Sequence, residues 1–313
     1  MLDKGYFLIL VTITMPKTQA TYQLTRLAPT PSGYLHLGNI LSFLITSSLA
    51  KKHQSKILLR IDDLDQSRVR QDFIEDIFAT LNFLEIPWDL GPKNQKEFYQ
   101  EFSQTHRLES YQKALEWLNE KQLLFACECS RKQIAKISPN AQYPGTCLKR
   151  GLDLKAENIN WRLITNGHSI KFKSLESEFY SSLLPDNMRH FVVRKKTSLP
   201  AYQLASVIDD ISFGVDLIVR GQDLLDSSLA QSYLSSLLPA NNFSDITFMH
   251  HQLIMHSENK KLSKSKGATS IQGLRKTGKS KADIYRMLGD FMGFKEPTLC
   301  LQDFEKAYNE KAG

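Results

Sequence analysis

The sequence is poor in the features that mark stapled, fibrous or membrane-inserted chains. Only four cysteines occur among 313 residues, too few for a disulfide scaffold and better suited to a reducing compartment. The one short apolar run near the start, residues 6–14, falls well below the roughly 20 residues of a bilayer-spanning helix, and no other segment could cross a membrane. That run and the Thr18-Gln19-Ala20 after it have the outline of a weak signal peptide. Met15-Pro16-Lys17-Thr18 offers an equally good start, so residues 1–20 are read as an N-terminal extension. Internal repeats and long low-complexity tracts are also missing, so no repeat array is expected.

What is present is ordinary for a globular chain: 42% hydrophobic and 23% charged residues. The length allows one large domain or two ordinary ones with a sizeable core. Lysine and arginine exceed aspartate and glutamate, 40 to 33, giving +7. A modest basic excess suits a polyanion such as RNA, but it equally describes an inert basic surface. A cytoplasmic monomer with no membrane contact is expected.

Residues 22–28 alternate as a first strand does, residues 29–33 break it with proline and glycine, and a helical pattern follows from Leu37 to Leu49. A second β-rich run, 56–61, ends in the acidic cluster Asp62, Asp63 and Asp65. This order predicts an α/β fold, a Rossmann-like doubly wound parallel sheet with ligands beyond the carboxyl ends of its strands. Helical spacing recurs at 73–84 and 107–118. Residues 127–194 are loop-rich, as an inserted subdomain would be, and the pattern resumes at 202–208 and 215–219. After Lys281 the tail is helical, with Ile284, Met287, Leu288 and Phe291 at three- and four-residue steps. The expected divisions are 1–20 (extension), 21–106 (first half of the catalytic domain), 107–196 (insert), 197–250 (second half) and 251–313 (a lysine loop and short helical remnant).

Two segments carry the chemistry. His36-Leu37-Gly38-Asn39 opens a helix after a Pro/Gly turn, where free backbone N–H groups and the helix dipole favour phosphate. Gly38 would let a nucleotide approach the backbone, and the His36 imidazole could donate to a phosphoryl oxygen. Lys260-Lys261-Leu262-Ser263-Lys264-Ser265-Lys266-Gly267 would alone be a solvated basic loop. A third cluster, Cys127, Cys129 and Cys147 with Tyr143, offers three thiols and a phenol in one short stretch. Thiolates in a tetrahedral set suit zinc. No fourth cysteine or histidine lies nearby in sequence, and Cys300 stands apart as a buried small residue.

Taken together these segments resemble the class I aminoacyl-tRNA synthetases, glutamyl branch. The stretch 26–39 is similar to the branch's first signature and 60–65 to its acidic segment. Residues 199–210 and 217–224 look like its pocket segments, and 250–254 leads into a lysine loop of its mobile ATP-loop form. The resemblance spans roughly 21–294. It implies catalytic roles for His36, Gly38, Asn39, Lys261 and Lys264, with His36, Gly38 and Lys264 on ATP. It implies a glutamate pocket of Arg26, Ala28, Thr30, Asp62, Tyr202 and Arg220. In that pocket Arg220 would grip the side-chain carboxylate bidentately and Asp62 would hold the α-ammonium. Two positions depart from the commonest pattern. Asp62 stands where most glutamyl-specific members have glutamate and the glutaminyl branch often has aspartate. Asn39 replaces a histidine, as is common in this branch.

The cysteine arrangement resembles the zinc knuckle of one subgroup, the glutamyl-Q tRNA(Asp) synthetases, with Cys127, Cys129, Tyr143 and Cys147 as ligands of one structural Zn²⁺. Length points the same way, because about 45 residues follow Lys266 where larger relatives continue into an anticodon-reading domain. The implied activity is tRNA-independent formation of glutamyl-adenylate from L-glutamate and Mg²⁺-ATP, then transfer to queuosine in the anticodon of tRNA(Asp). The alternatives left open are a truncated glutamyl-tRNA synthetase that charges the 3′ end and a catalytically idle RNA-binding paralogue.

Overall fold

The computed structural model describes residues 21–138, 142–254 and 270–312. Lys261 and Lys264, with the rest of the lysine loop, and the extension 1–20 lie outside the described residues. Strand β1 (Leu24–Leu27), helix α1 (Leu37–His53) and strand β2 (Lys56–Leu59) form the first unit, with β1 and β2 parallel and Arg26 level with Leu58. All four residues of β1 are buried, because the strand sits inside the sheet with apolar layers on both faces. Helix α1 outruns its expected end by a turn. Lys51, Lys52 and His53 in that turn suit the dipole, and Gln54 caps it in the left-handed region.

Helices α2 (Gln71–Phe83), α3 (Gln95–Glu97) and α4 (Leu108–Glu120) lead to a small sheet of β3 (Leu124–Cys127), β4 (Asn160–Leu163) and β7 (Val192–Arg194), antiparallel throughout. Helix α5 (Arg131–Ile137) follows β3. Between β4 and β7 the chain leaves the small sheet to make the hairpin β5 (Ser169–Ser174) and β6 (Glu178–Leu183). That hairpin joins the main sheet, whose order is β2-β1-β8-β9-β5-β6, β8 being Leu217–Gly221 and β9 Thr247–His251.

Helix α6 (Tyr202–Phe213) ends at Gly214, φ 72°, a left-handed cap that turns the chain into β8 (Leu217–Gly221). Helix α7 (Leu225–Ser236) then leads to β9 (Thr247–His251), parallel to β8 with Arg220 level with His250. Helices α8 (Ile271–Lys276), α9 (Lys281–Met292) and α10 (Leu301–Ala312) close the chain against α1 and α2. In α9, Ile284, Tyr285 and Leu288 are buried, but Met287, expected to face the core, is 38% exposed. Cys300 is likewise only partly covered. The chain runs from β1 to β2 on one side of it and later to β8 on the other. The carboxyl ends of β1 and β8 therefore flank the crevice where ligands of such sheets bind. No described helix is long and apolar enough to cross a membrane.

Candidate active site

Arginines and aspartates converge at that crevice. Arg26 near the end of β1, Arg60 just after β2 and Arg220 near the end of β8 are 5%, 3% and 3% exposed. Buried guanidinium groups need anions, and α6 supplies them. Asp210 accepts from Arg26 Nε at 3.1 Å and from Arg60 Nη1 at 2.7 Å. Arg60 also forks onto Asp62, Nε at 2.7 Å and Nη2 at 3.1 Å. Burial pushes the Asp62 carboxyl up, and Arg60 offsets only part of that. For Asp210 burial acts the same way, but Arg60, Arg26 and Arg220 together outweigh it and hold the carboxyl low.

Behind this pair stands Asp209. It accepts from Arg107 Nε and Nη2 at 2.8 and 3.0 Å, from the Tyr111 hydroxyl at 2.7 Å and from Gln104 Nε2 at 2.9 Å. Asp63 is held by neutral donors, the Ser103 hydroxyl at 2.6 Å and the Gln104 backbone N–H at 2.7 Å.

Arg220 has no such match. Arg26 is paired with Asp210, Arg60 with both Asp62 and Asp210, and Arg107 with Asp209. Arg220 spends only Nη1, on Gln231 Oε1 at 2.9 Å and on Ser228 Oγ at 3.3 Å. Its Nε and Nη2 are buried without a hydrogen-bond partner among the described residues. These two nitrogens form the side-on fork that a carboxylate fills with two parallel bonds. Burial, the largest influence, draws the guanidinium pKa down to about 10, so Arg220 remains a cation at neutral pH. His250, level with it on β9, bonds Ser228 Oγ through Nε2 at 2.8 Å. Burial and then Arg220 lower its pKa to about 4, so it is neutral.

A cavity of about 270 Å³ opens beside this cluster, walled by Thr30, Asp62, Gln104, Lys195 and Tyr202 among others. Tyr202 is 42% exposed and lies within the electrostatic reach of Arg220. Of the sequence-predicted pocket residues, then, Thr30, Asp62 and Tyr202 line the cavity. Arg26 and Arg220 are not among its lining residues. Arg26 is tied to Asp62 through Asp210 and Arg60, Arg220 reaches Asp210 and Tyr202 only through its charge, and Ala28 is half-buried on the turn after β1.

His36 is the N-cap of α1. Its Nδ1 accepts from the backbone N–H groups of Gly38 at 3.1 Å and Asn39 at 3.3 Å, which places the ring proton on Nε2. Asn39 Oδ1 accepts in return from the His36 backbone N–H at 3.1 Å, so Asn39 completes a capping box. A β-carbon on Gly38 would sit 3.1 Å from the imidazole ring, so the glycine lets the ring fold back on the helix start.

Sequence reasoning assigns no role to Arg60, Asp209, Asp210, Gln104 or Gln231. The signal for the aspartates is two adjacent carboxylates in a helix otherwise largely apolar, because buried charges require counter-charges elsewhere.

The thiols of Cys127, Cys129 and Cys147 lie within 4.8 Å of one another, Cys129 and Cys147 Sγ atoms 3.6 Å apart, and all are free. Zn–S bonds of about 2.3 Å in a tetrahedron put sulfurs roughly 3.8 Å apart, so the cluster fits a metal ion. The Tyr143 hydroxyl joins it, accepting from the Cys147 N–H at 2.8 Å. Cys127, Tyr143 and Cys147 are buried with Phe125 and Ile134 in a core of their own.

The family model for the catalytic domain of class I tRNA synthetases (E and Q) matches residues 24–298, and the chain belongs to that family. It is 35% identical over 264 residues to a glutamyl-Q tRNA(Asp) synthetase of Verminephrobacter eiseniae, covering 81% of this chain and 85% of that one. A relative of the same name from Parasynechococcus marenigrum is 32% identical, with 92% and 89% covered. Among solved structures, the glutamate-tRNA synthetase of Elizabethkingia anophelis superposes with a TM-score of 0.70 at 21% identity. The match takes in 92% of this chain and 65% of that one, and the two share the fold.

Proposed function

We propose that the chain activates L-glutamate with ATP and transfers it to queuosine in the anticodon of tRNA(Asp), as the names of its relatives indicate. The observation that carries the glutamate half is Arg220, a buried cation whose side-on fork has no hydrogen-bond partner among the described residues and which lies within the electrostatic reach of Tyr202, a residue that lines the cavity together with Asp62. A substrate with an ammonium group and a side-chain carboxylate complements that pair of charges. In this reading Arg220 takes the side-chain carboxylate, Asp62 with Arg60 on its flank takes the α-ammonium, and Arg26, Ala28, Thr30 and Tyr202 shape the pocket.

The α-carboxylate attacks the ATP α-phosphorus and pyrophosphate leaves. A ring proton on His36 Nε2 suits donation to phosphate oxygens at the start of α1. Lys261 and Lys264 are assigned the triphosphate charge, and Mg²⁺ arrives with ATP. A queuosine hydroxyl then attacks the adenylate carbonyl and AMP leaves. Positioning and electrostatics supply most of the acceleration. Four free cysteines suit a cytoplasmic, reduced setting.

With labelled glutamate and ATP, queuosine-containing tRNA(Asp) is expected to become labelled and queuosine-free transcript to stay unlabelled. Labelling of both, or of tRNA(Glu) at its 3′ end, would overturn the acceptor assignment.

Cys127, Cys129, Tyr143 and Cys147 are proposed to hold one structural Zn²⁺. The cations around them suit an anionic ligand set: the Arg162 guanidinium lies 3.7 Å from the Tyr143 ring centre, and Arg150 Nη1 is 3.8 Å from Cys147 Sγ. Elemental analysis of freshly purified protein is expected to find about one zinc per chain, lost in Cys129→Ser. Metal-free wild-type protein with native circular dichroism would rule the site out.

A further inference from the structure

Resting on the glutamate reading above, the question is what keeps Arg220 available. A buried guanidinium ordinarily recruits a carboxylate of its own chain, as Arg26, Arg60 and Arg107 do here. Arg220 is instead held by one nitrogen, on two acceptors that carry no charge. Gln231 and Ser228 are both fully buried on α7, one helical step apart. They face Arg220 from the helix side while the Phe248 ring lies 5.3 Å from its guanidinium carbon on β9. Ser228 is itself braced, against Leu224 O at 3.2 Å and against the His250 ring at 2.8 Å. Asp210 stands in the field of Arg220, but its Oδ1 is shared by Arg26 and Arg60 and its Oδ2 makes no hydrogen bond to Arg220 or to any other described group.

We infer that Gln231 and Ser228 are positioning residues that set specificity: by holding Arg220 at Nη1 with neutral groups, they fix its orientation and leave the Nε–Nη2 fork unneutralised for a substrate carboxylate. A carboxylate at position 231 would occupy the same space as the amide, pair with Arg220 and mute its charge. The site would then lose its preference for an acid over the isosteric amide. The arrangement also stores instability, because an unpaired buried cation weakens the fold that contains it. Function and stability should therefore move in opposite directions when the charge is cancelled, which a residue of merely structural importance would not do.

Gln231→Glu and Gln231→Leu test this by ATP–pyrophosphate exchange and thermal melting, with glutamate and glutamine as substrates. In Gln231→Glu the KM for glutamate is expected to rise about tenfold or more. The KM for ATP is expected to stay unchanged, the glutamate-to-glutamine ratio to fall, and the melting temperature to rise. Gln231→Leu loosens Arg220 without cancelling its charge, so KM rises less and the preference for glutamate persists. Equal effects of the two variants on KM and selectivity, or a lower melting temperature in Gln231→Glu, would overturn the inference. Wild-type protein without glutamate-dependent exchange would instead defeat the glutamate reading; a melting temperature that rises in Gln231→Glu would still support the neutral hold on Arg220.

Discussion

Arg220→Ala is expected to lower kcat/KM for glutamate in ATP–pyrophosphate exchange by roughly two orders of magnitude, about 3 kcal/mol. That is the scale of two hydrogen bonds to a charged group lost together. The loss should fall on glutamate alone, because the bonds formed by Arg220 lead to α7 and not to the start of α1. The KM for ATP is thus expected to hold. Stability is expected to change little, since the arginine has no ion pair among the described residues to break and its removal takes a buried, unbonded charge out of the interior. Lysine at the same place restores the charge but not the planar fork, so Arg220→Lys should recover only part of the activity. Exchange at the wild-type rate in the alanine variant would exclude Arg220 from the pocket.

The opposite balance is expected at Asp210. Its carboxylate is fully buried and serves two arginines; deleting it strips Arg26 of its carboxylate and leaves Arg60 with Asp62 alone in a dry environment. Removing one partner from such a group costs about 3–5 kcal/mol, a large share of the 5–15 kcal/mol that holds a typical domain together. Urea denaturation of Asp210→Ala should therefore show a much lower midpoint at an unchanged slope. The half-exposed carboxylate Asp65, paired to Lys195 at 3.6 Å, provides the contrast, because partly solvated pairs contribute little. If Asp210→Ala and Asp65→Ala lose the same amount, the buried network is not what holds these strands and α6 together.

The first βαβ unit was legible because each of its boundaries has a local cause. Proline and glycine break the chain after β1, His36 and Asn39 cap α1, and basic residues close its last turn. Strand β8 lies on the apolar run read at 215–219, whereas β9, Thr-Phe-Met-His-His, carries too little apolar pattern to be read as a strand. The hairpin β5–β6 was not legible as part of the main sheet. Strand β5 alternates, with Ile170 and Phe172 buried between polar residues, but β6 does not and is largely exposed, and the hairpin's place in the sheet depends on pairing with a strand more than 70 residues later in the chain. The site divides in the same way. Residues of recognised type at signature positions, such as His36, Asp62 and Arg220, could be named from the sequence. Gln104, Arg107 and Tyr111 could not, because what selects them is the need of Asp209 for donors. That need arises only once α6 packs beside the turn preceding α4.

The path of the chain through its two sheets has a mechanical consequence. After β4 the chain departs the small sheet, is stitched to β9 as the hairpin, and returns as β7. The cysteine-bearing end is thus anchored at two seams, and it cannot swing on a single hinge without dragging the strand that carries His250 and His251. A pull on that end by a bulky polyanion would be felt at the back of the arginine pocket as displacement of a sheet edge, not as slack in a linker.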